Sequence, residues 1–146
     1  MNMIKKPSVV FFDAVGTILK PAKPVDETYY LYGNEHGSTI SKDSIRNLFY
    51  ESFKNEELKD VSLDCKTNEA REFERWESIV SECFPDLKSP ALLFNDLFEY
   101  YSQPSAWDLY PGTITVIKFL ENAGINWGIA SNFDLRLQSI VKSKPE

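Results

Sequence analysis

The chain has 146 residues, of which 42% are hydrophobic and 14% aromatic, enough for one ordinary domain or for one small core with an insert. The 22 acidic and 16 basic side chains give a net charge of −6 without any Lys/Arg cluster, so we expect no nucleic-acid partner. No apolar run approaches membrane length, residues 1–7 lack the apolar region of a signal peptide, and two cysteines are too few for a disulfide framework. These features predict a cytoplasmic protein that binds neither nucleic acid nor membrane.

The first predicted element is an apolar strand that ends at a carboxylate. Residues 8–13 are apolar up to Asp13, and the lack of alternation predicts a strand that is covered on both faces. Gly16 and Thr17 then turn the chain. Because α/β proteins place reactive groups at the carboxyl ends of buried strands, Asp13 is the first candidate for a functional residue.

A series of helices is predicted next. Each is indicated by a capping residue and by apolar spacing, with Ser89 as the cap of the last one. The helices cover residues 25–36, the stretch that follows Ser41, a stretch that starts at Thr67 or Asn68, and the stretch that follows Ser89. Residues 58–66 are polar and are interpreted as a loop. We therefore predict a helical insert at residues 23–105 in an incomplete α/β core formed by residues 1–22 and 106–146.

The α/β pattern resumes with a predicted helix over residues 113–122 and a second apolar strand over residues 125–130. That strand delivers Ser131 and Asn132 to its carboxyl end. A helix that returns between two strands makes a βαβ-type unit with parallel strands. Because the carboxyl ends of parallel strands lie at one edge of a sheet, Asp13 and Ser131 are expected to be neighbours.

Two short motifs therefore stand in order, with a helical insert between them. Residues 13–17 are Asp-Ala-Val-Gly-Thr, and residues 129–132 are Ile-Ala-Ser-Asn. They resemble the first motif, usually Asp-x-Asp-Gly-Thr, and the second motif of the haloacid dehalogenase-like hydrolase superfamily. The insert resembles the cap of the subfamily in which the cap follows the first motif. The resemblance implies a Rossmann-like α/β core with an inserted helical cap.

The resemblance also implies an activity, magnesium-dependent hydrolysis of a small phosphorylated metabolite. In this family the aspartate of the first motif is the nucleophile, so Asp13 would carry the phosphoryl group as an aspartyl-phosphate. Mg²⁺ would be held by Asp13 and by the backbone carbonyl of Val15. The phosphate would be bound by Thr17, Ser131 and Asn132.

Two departures from the family pattern predict weak or absent catalysis. Val15 stands where the family phosphatases have a second aspartate, which protonates the leaving alkoxide and contributes roughly 100- to 10,000-fold. The sequence ends at residue 146 without the third and fourth motifs, so we expect a truncated core that lacks the acidic metal ligands of the fourth. Residues 144–146, Lys-Pro-Glu, are similar to the run around the third motif but follow Ser131 too closely.

Three other interpretations stay open. The chain is a non-catalytic binding or regulatory protein, a 2-haloacid dehalogenase-type hydrolase, whose chemistry also works without that acid, or a fragment with no function of its own. The missing strands would leave the strand at residues 8–13 with an open apolar edge. A partner chain or self-association is then expected to cover it.

Two groups of charged residues are interpreted as ordinary surface groups. The arginines of the insert, Arg46, Arg71 and Arg75, are predicted to pair with acidic side chains at the surface. Asp134 is predicted to be solvated or to act as an acid at the start of a helix.

Overall fold

A computed structural model describes residues 6–144 of the chain. Residues 1–5, which belong to the N-terminal stretch without a predicted signal peptide, and residues 145–146 of the Lys-Pro-Glu run lie outside the described residues. The elements are, in order, β1 (Val9–Phe12), β2 (Leu19–Pro21), α1 (Val25–Glu35), α2 (Lys42–Ser62), α3 (Glu69–Cys83), α4 (Ala91–Tyr100), a 3-10 turn (Pro104–Ala106), β3 (Trp107–Leu109), α5 (Thr113–Asn122), β4 (Asn126–Ile129) and α6 (Arg136–Lys142). None of the helices between residues 6 and 144 combines the length and the apolar character needed to cross a bilayer.

A short parallel sheet confirms the predicted α/β class. Strands β1 and β4 pair in parallel, with Val9 opposite Asn126 and Phe12 opposite Ile129. Helix α5 returns between them and packs against β4, as in part of a Rossmann-like core. The prediction that β1 is covered on both faces is wrong, because the side chain of Phe11 is 64% exposed. No other described strand pairs with β1, so its second edge is open.

A second pair of strands joins the two ends of the helical segment. Strands β2 and β3 are antiparallel, with Leu19 opposite Leu109 and Pro21 opposite Trp107. One further hydrogen bond from the Ala22 amide to Ala106 extends this contact toward the helices. Leu19, Trp107 and Ala106 are buried in one apolar cluster. The chain therefore leaves and re-enters the α/β part at a single fixed place.

Helices α1–α4 enclose an apolar core of their own, separate from that cluster. Ser41 caps α2 as predicted, and Asn68, one of the two residues predicted to start the third helix, caps α3; each accepts a backbone N–H of the first turn. Gly33 on α1 lets α3 approach closely, because a Cβ there would lie 2.3 Å from the ring of Phe84. The predicted division at residues 23–105 stays a prediction, although all four helices lie within it.

Two local predictions in this region are wrong. Helix α2 continues to Ser62, so the first part of residues 58–66 is helical and not loop. Asp60 there forms ion pairs with α3, and such tertiary contacts override a polar, weakly patterned sequence. Ser89 makes no capping hydrogen bond, because Pro90 is the residue that precedes the first turn of α4.

A buried ion cluster connects α2 with α3. Arg71 lies 2.6 Å from Glu56 and 2.7 Å from Asp60, and Arg75 lies 3.0 Å from the other oxygen of Asp60. The residues Arg71 and Arg75 are only 7% and 6% exposed, so the prediction that they lie at the surface is wrong. A buried charge needs its partner, because an unpaired ion in the interior is costly.

The Arg71→Met variant tests this cluster. It keeps the apolar stem but leaves two carboxylates with one arginine fewer, so we expect the free energy of unfolding to fall by about 3–5 kcal/mol. Urea denaturation followed by circular dichroism measures the change. Arg46→Met is the matched control, because Arg46 pairs with Asp26 and Asp43 while half exposed, and little change is expected. Equal effects of the two substitutions would contradict the proposed importance of the buried cluster.

Asp86 fastens the turn after α3 to the turn after α1. Its carboxylate accepts the backbone N–H of Thr39 at 2.8 Å and the hydroxyl of Ser38 at 3.0 Å. The backbone hydrogen bond from Thr39, supported by Ser38, holds the pKa of Asp86 below its usual value of 3.8.

This lowered pKa predicts a specific loss of stability in acid. The contribution of Asp86 is fully present above its unfolded-state pKa and is lost as the pH falls through the lower folded-state pKa. We therefore expect the difference in unfolding free energy between the wild type and Asp86→Asn to be constant near neutral pH and to shrink below about pH 4. Urea denaturation at a series of pH values measures it, and a difference that is independent of pH would contradict the assignment.

Candidate functional site

The turn after β1 presents Asp13 at the carboxyl edge of the parallel sheet. Asp13 itself is exposed, whereas Ala14 is completely buried and anchors the turn. The carbonyl of Ala14 accepts the backbone N–H groups of residues 17–19 at 3.2, 2.9 and 2.9 Å. The Ala14 carbonyl therefore stabilises the turn that follows the exposed carboxylate of Asp13.

Gly16 and Val15 form the outer part of this turn. Gly16 has a φ of +89°, a conformation that other residues adopt only with strain, and its N–H donates to the carbonyl of Leu19 at 2.9 Å. The Val15 side chain is 39% exposed. Among the described residues, no backbone N–H donates to the carbonyl of Val15, so this oxygen is available to a ligand.

Thr17 is the described side chain that touches the carboxylate of Asp13. Its hydroxyl donates to Oδ2 of Asp13 at 3.3 Å, a long hydrogen bond between two exposed groups. This contact favours one orientation of the carboxylate and leaves Oδ1 as the free oxygen.

Ser131 and Asn132 leave the same edge of the sheet as Asp13. The ladder between the strands ends with the Ala130 N–H donating to the Phe12 carbonyl at 2.9 Å, one residue before each candidate position. The half-buried Ser131 accepts the backbone N–H of Phe133 on its Oγ at 3.2 Å, and Asn132 is exposed. Two segments that are distant in sequence thus place a carboxylate, two hydroxyls and an amide at one edge.

The donor atoms at this edge form a small set of oxygen ligands. The carboxylate of Asp13 and the carbonyl of Val15 are hard donors, which Mg²⁺ prefers, and Mg²⁺ often binds through one or two carboxylates together with phosphate and water. Between residues 6 and 144 there is no group of three His, Cys, Asp or Glu side chains that could hold a metal. Asp13 and Val15 would therefore supply two protein oxygens to a magnesium ion, and its remaining positions would be left to phosphate and water.

Near this loop, Arg136 is a residue that the sequence interpretation missed, and Asp134 is its partner. Asp134 is 8% exposed, so the prediction of a solvated acid is wrong, although it does stand at the start of α6. Its carboxylate accepts two hydrogen bonds from Nε of Arg136 and one from Nη2. The sequence signal that could have indicated this ion pair is an acidic residue followed two positions later by an arginine at the start of a helix.

Lys144 and the main apolar cavity lie away from the candidate edge. Nζ of Lys144 donates to the carbonyls of Pro104 and Trp107, which gives this lysine a structural partner. A cavity of about 450 Å³ is lined mainly by apolar residues of β2, β3, α5 and β4, with Lys118, Glu121 and Lys144 also in its wall, and by neither Asp13 nor Ser131. The candidate site therefore consists of the two loops that carry Asp13 and Ser131, and it lies outside this cavity.

Comparison with known proteins gives relatives over most of the chain. No family model matches. The chain is 23% identical over 136 residues to haloacid dehalogenase-like hydrolase domain-containing protein 3 of Mus musculus. The aligned region covers 89% of this chain and 53% of the mouse protein. It is 28% identical over 140 residues to an uncharacterized hydrolase of Schizosaccharomyces pombe, and the aligned region covers 95% of this chain and 60% of the yeast protein. The Danio rerio form of protein 3 is 25% identical over 141 residues, covering 91% and 57%.

These relatives confirm the resemblance to haloacid dehalogenase-like hydrolases. The chain spans between half and three fifths of the length of the three relatives. The comparison therefore supports the family and leaves substrate and mechanism to be proposed.

The Gly16→Ala variant tests the turn that presents Asp13. A methyl group there meets no atom within 4 Å, so the cost is backbone strain alone, about 1–2 kcal/mol in the free energy of unfolding. Gly16→Asn is the matched variant, because Asn tolerates positive φ better, and a smaller loss is expected. Chemical denaturation of both variants measures the difference, and two equal losses would contradict a strain at this position.

Proposed function

We propose that this chain carries the nucleophile and the phosphate-binding loop of a haloacid dehalogenase-like phosphohydrolase that acts on a small phosphorylated metabolite. The observation that carries the proposal is the parallel pairing of β1 with β4. It ends both strands at one edge, immediately before Asp13 and Ser131. Reactive groups of α/β proteins gather at such an edge.

Asp13 would act as the nucleophile through Oδ1. Thr17 binds Oδ2, so Oδ1 is the oxygen that is free to attack. As the new Oδ1–phosphorus bond forms, the bond between phosphorus and the ester oxygen breaks, and the alcohol part of the substrate leaves as an alkoxide, which takes a proton from water. Water then hydrolyses the aspartyl-phosphate to inorganic phosphate and returns Asp13 to its carboxylate form.

Ser131 and Asn132 would bind the phosphate oxygens. The Oγ of Ser131 already accepts the N–H of Phe133, so its own hydroxyl proton is available to donate to an anion. The exposed amide of Asn132 supplies further N–H donors. Such donors stabilise the charge of the transferred group when they are fixed in advance.

Mg²⁺ would be held by the Asp13 carboxylate and the Val15 carbonyl, and when bound it neutralises negative charge on the phosphate. Val15 limits the rate of the proposed reaction, because its side chain has no proton to give to the leaving alkoxide. We therefore propose weak turnover for alkyl phosphates. The cytoplasmic location and a partner for the β1 edge stay predictions.

A non-catalytic phosphate-binding protein is the second candidate, and Val15 is the observation that favours it. An exposed apolar side chain stands at the position where an acid would assist departure of the alkoxide. Binding requires only the donors of Ser131 and Asn132 together with the metal ligands, because the hydroxyl of Thr17 already donates to Asp13. The two candidates share one site and differ in whether a phosphate ester is turned over.

The Val15→Asp variant tests the catalytic proposal. Because a carboxyl group at this position can protonate the leaving oxygen, hydrolysis of an alkyl phosphate in the presence of Mg²⁺ is expected to rise by roughly 100- to 10,000-fold. A smaller gain is expected for p-nitrophenyl phosphate, whose leaving group departs without a proton. Release of inorganic phosphate measures both rates. The matched control is Val116→Asp, at a valine of α5 that is 46% exposed, and no gain is expected there.

Two further measurements separate the candidates. Asp13→Asn in the Val15→Asp background should abolish turnover, and activity that survives this change would contradict the role of Asp13. Calorimetry with inorganic phosphate and Mg²⁺ measures binding directly. Phosphate binding without any turnover in the Val15→Asp variant would support the non-catalytic candidate. No binding at all would contradict both.

A further inference from the structure

The loop that carries Ser131 is held by contacts with the helical cap, here the segment α1–α4. The backbone N–H of Leu135 donates to Glu69 at the start of α3 at 3.2 Å. The guanidinium of Arg136 lies 3.8 Å from the ring centre of Phe98 on α4. Two cap helices therefore contact adjacent residues of one loop.

Arg136 is fixed for this contact by Asp134. The Asp134 side chain is 4% exposed and the Arg136 side chain 12% exposed, and Nη2 of Arg136 lies 2.7 Å from Oδ2 of Asp134. A planar guanidinium that is bonded at its edge to a carboxylate can still present its face to an aromatic ring. The pair thus joins the start of α6 to the aromatic core of the cap.

The same arginine also touches the residue that binds Ser131. Its guanidinium lies 5.3 Å from the ring centre of Phe133, and the backbone N–H of Phe133 is the donor to Oγ of Ser131. The Phe133 ring packs in turn on Trp107, at 5.4 Å between centres. The contacts therefore run from Phe98 on α4 through Arg136 to Phe133, whose N–H is the donor to Ser131.

We propose that Asp134 and Arg136 form a latch between the cap and the loop of Ser131, and that they are positioning residues for the phosphate. This inference rests on the proposed function, because Ser131 is taken as the phosphate ligand. The latch itself is a contact between Arg136 and Phe98 and can be tested without any ligand.

The Arg136→Met variant tests the positioning role. It keeps an unbranched apolar side chain but removes the guanidinium, and we expect the dissociation constant for inorganic phosphate with Mg²⁺ to rise roughly two- to thirtyfold, the range that a cation–π contact supplies. Arg136→Lys keeps the charge and should restore part of the affinity. In a Ser131→Ala background, Arg136→Met should cause no further loss, because the latch acts through Ser131. Arg46→Met is the control, and no change is expected.

Hydrogen exchange of the Phe133 and Leu135 amides tests the latch in the absence of phosphate. Faster exchange at both amides in Arg136→Met and in Phe98→Leu, but not in Arg46→Met, is the expected result. Unchanged exchange in both Arg136→Met and Phe98→Leu would overturn the latch. If the wild type binds phosphate and Ser131→Ala weakens it while Arg136→Met does not, the positioning role fails and the proposed function stands. If the wild type binds no phosphate, the proposed function fails and the positioning role fails with it.

Discussion

The register between β1 and β4 is the constraint on which the candidate site depends. Val9 stands opposite Asn126 and Phe12 opposite Ile129, so two segments from opposite ends of the chain finish at the same level. A shift of one residue would turn every side chain of the strand to the other face and move Asp13 away from the edge. The antiparallel pair β2–β3 reinforces this register, because it closes the helical cap onto the α/β part at a single place.

The helical segment α1–α4 carries an apolar core and an ion cluster of its own. Its contacts with the α/β part are few and specific, and they include the stacking of Arg136 on Phe98 and the hydrogen bond from Leu135 to Glu69. The arrangement connects the position of the cap to the loop of Ser131. The affinity for a ligand bound between the two motifs would therefore depend on the position of the helical segment.

Local patterns in the sequence were sufficient for the α/β class, for the caps at Ser41 and Asn68 and for the meeting of two strand ends at one edge. The length of α2 and the burial of Arg71 could not be predicted, because both depend on ion pairs between helices. The exposure of Phe11 depends on which strands border β1. At the candidate site, the meeting of the two loops at one edge was predictable from the motifs, and the roles of their residues stay predictions. The mutual orientation of the side chains rests on long-range contacts that no short pattern encodes.

The most direct measurement of the central claim uses Mn²⁺ in place of Mg²⁺ and follows the broadening of backbone amide signals by nuclear magnetic resonance in the presence of inorganic phosphate. The account predicts the strongest broadening in two separate segments, residues 13–17 and 131–133, and its loss in Asp13→Asn. Broadening that is strongest outside these two segments, or that is unchanged by Asp13→Asn, would contradict a shared site at the ends of β1 and β4.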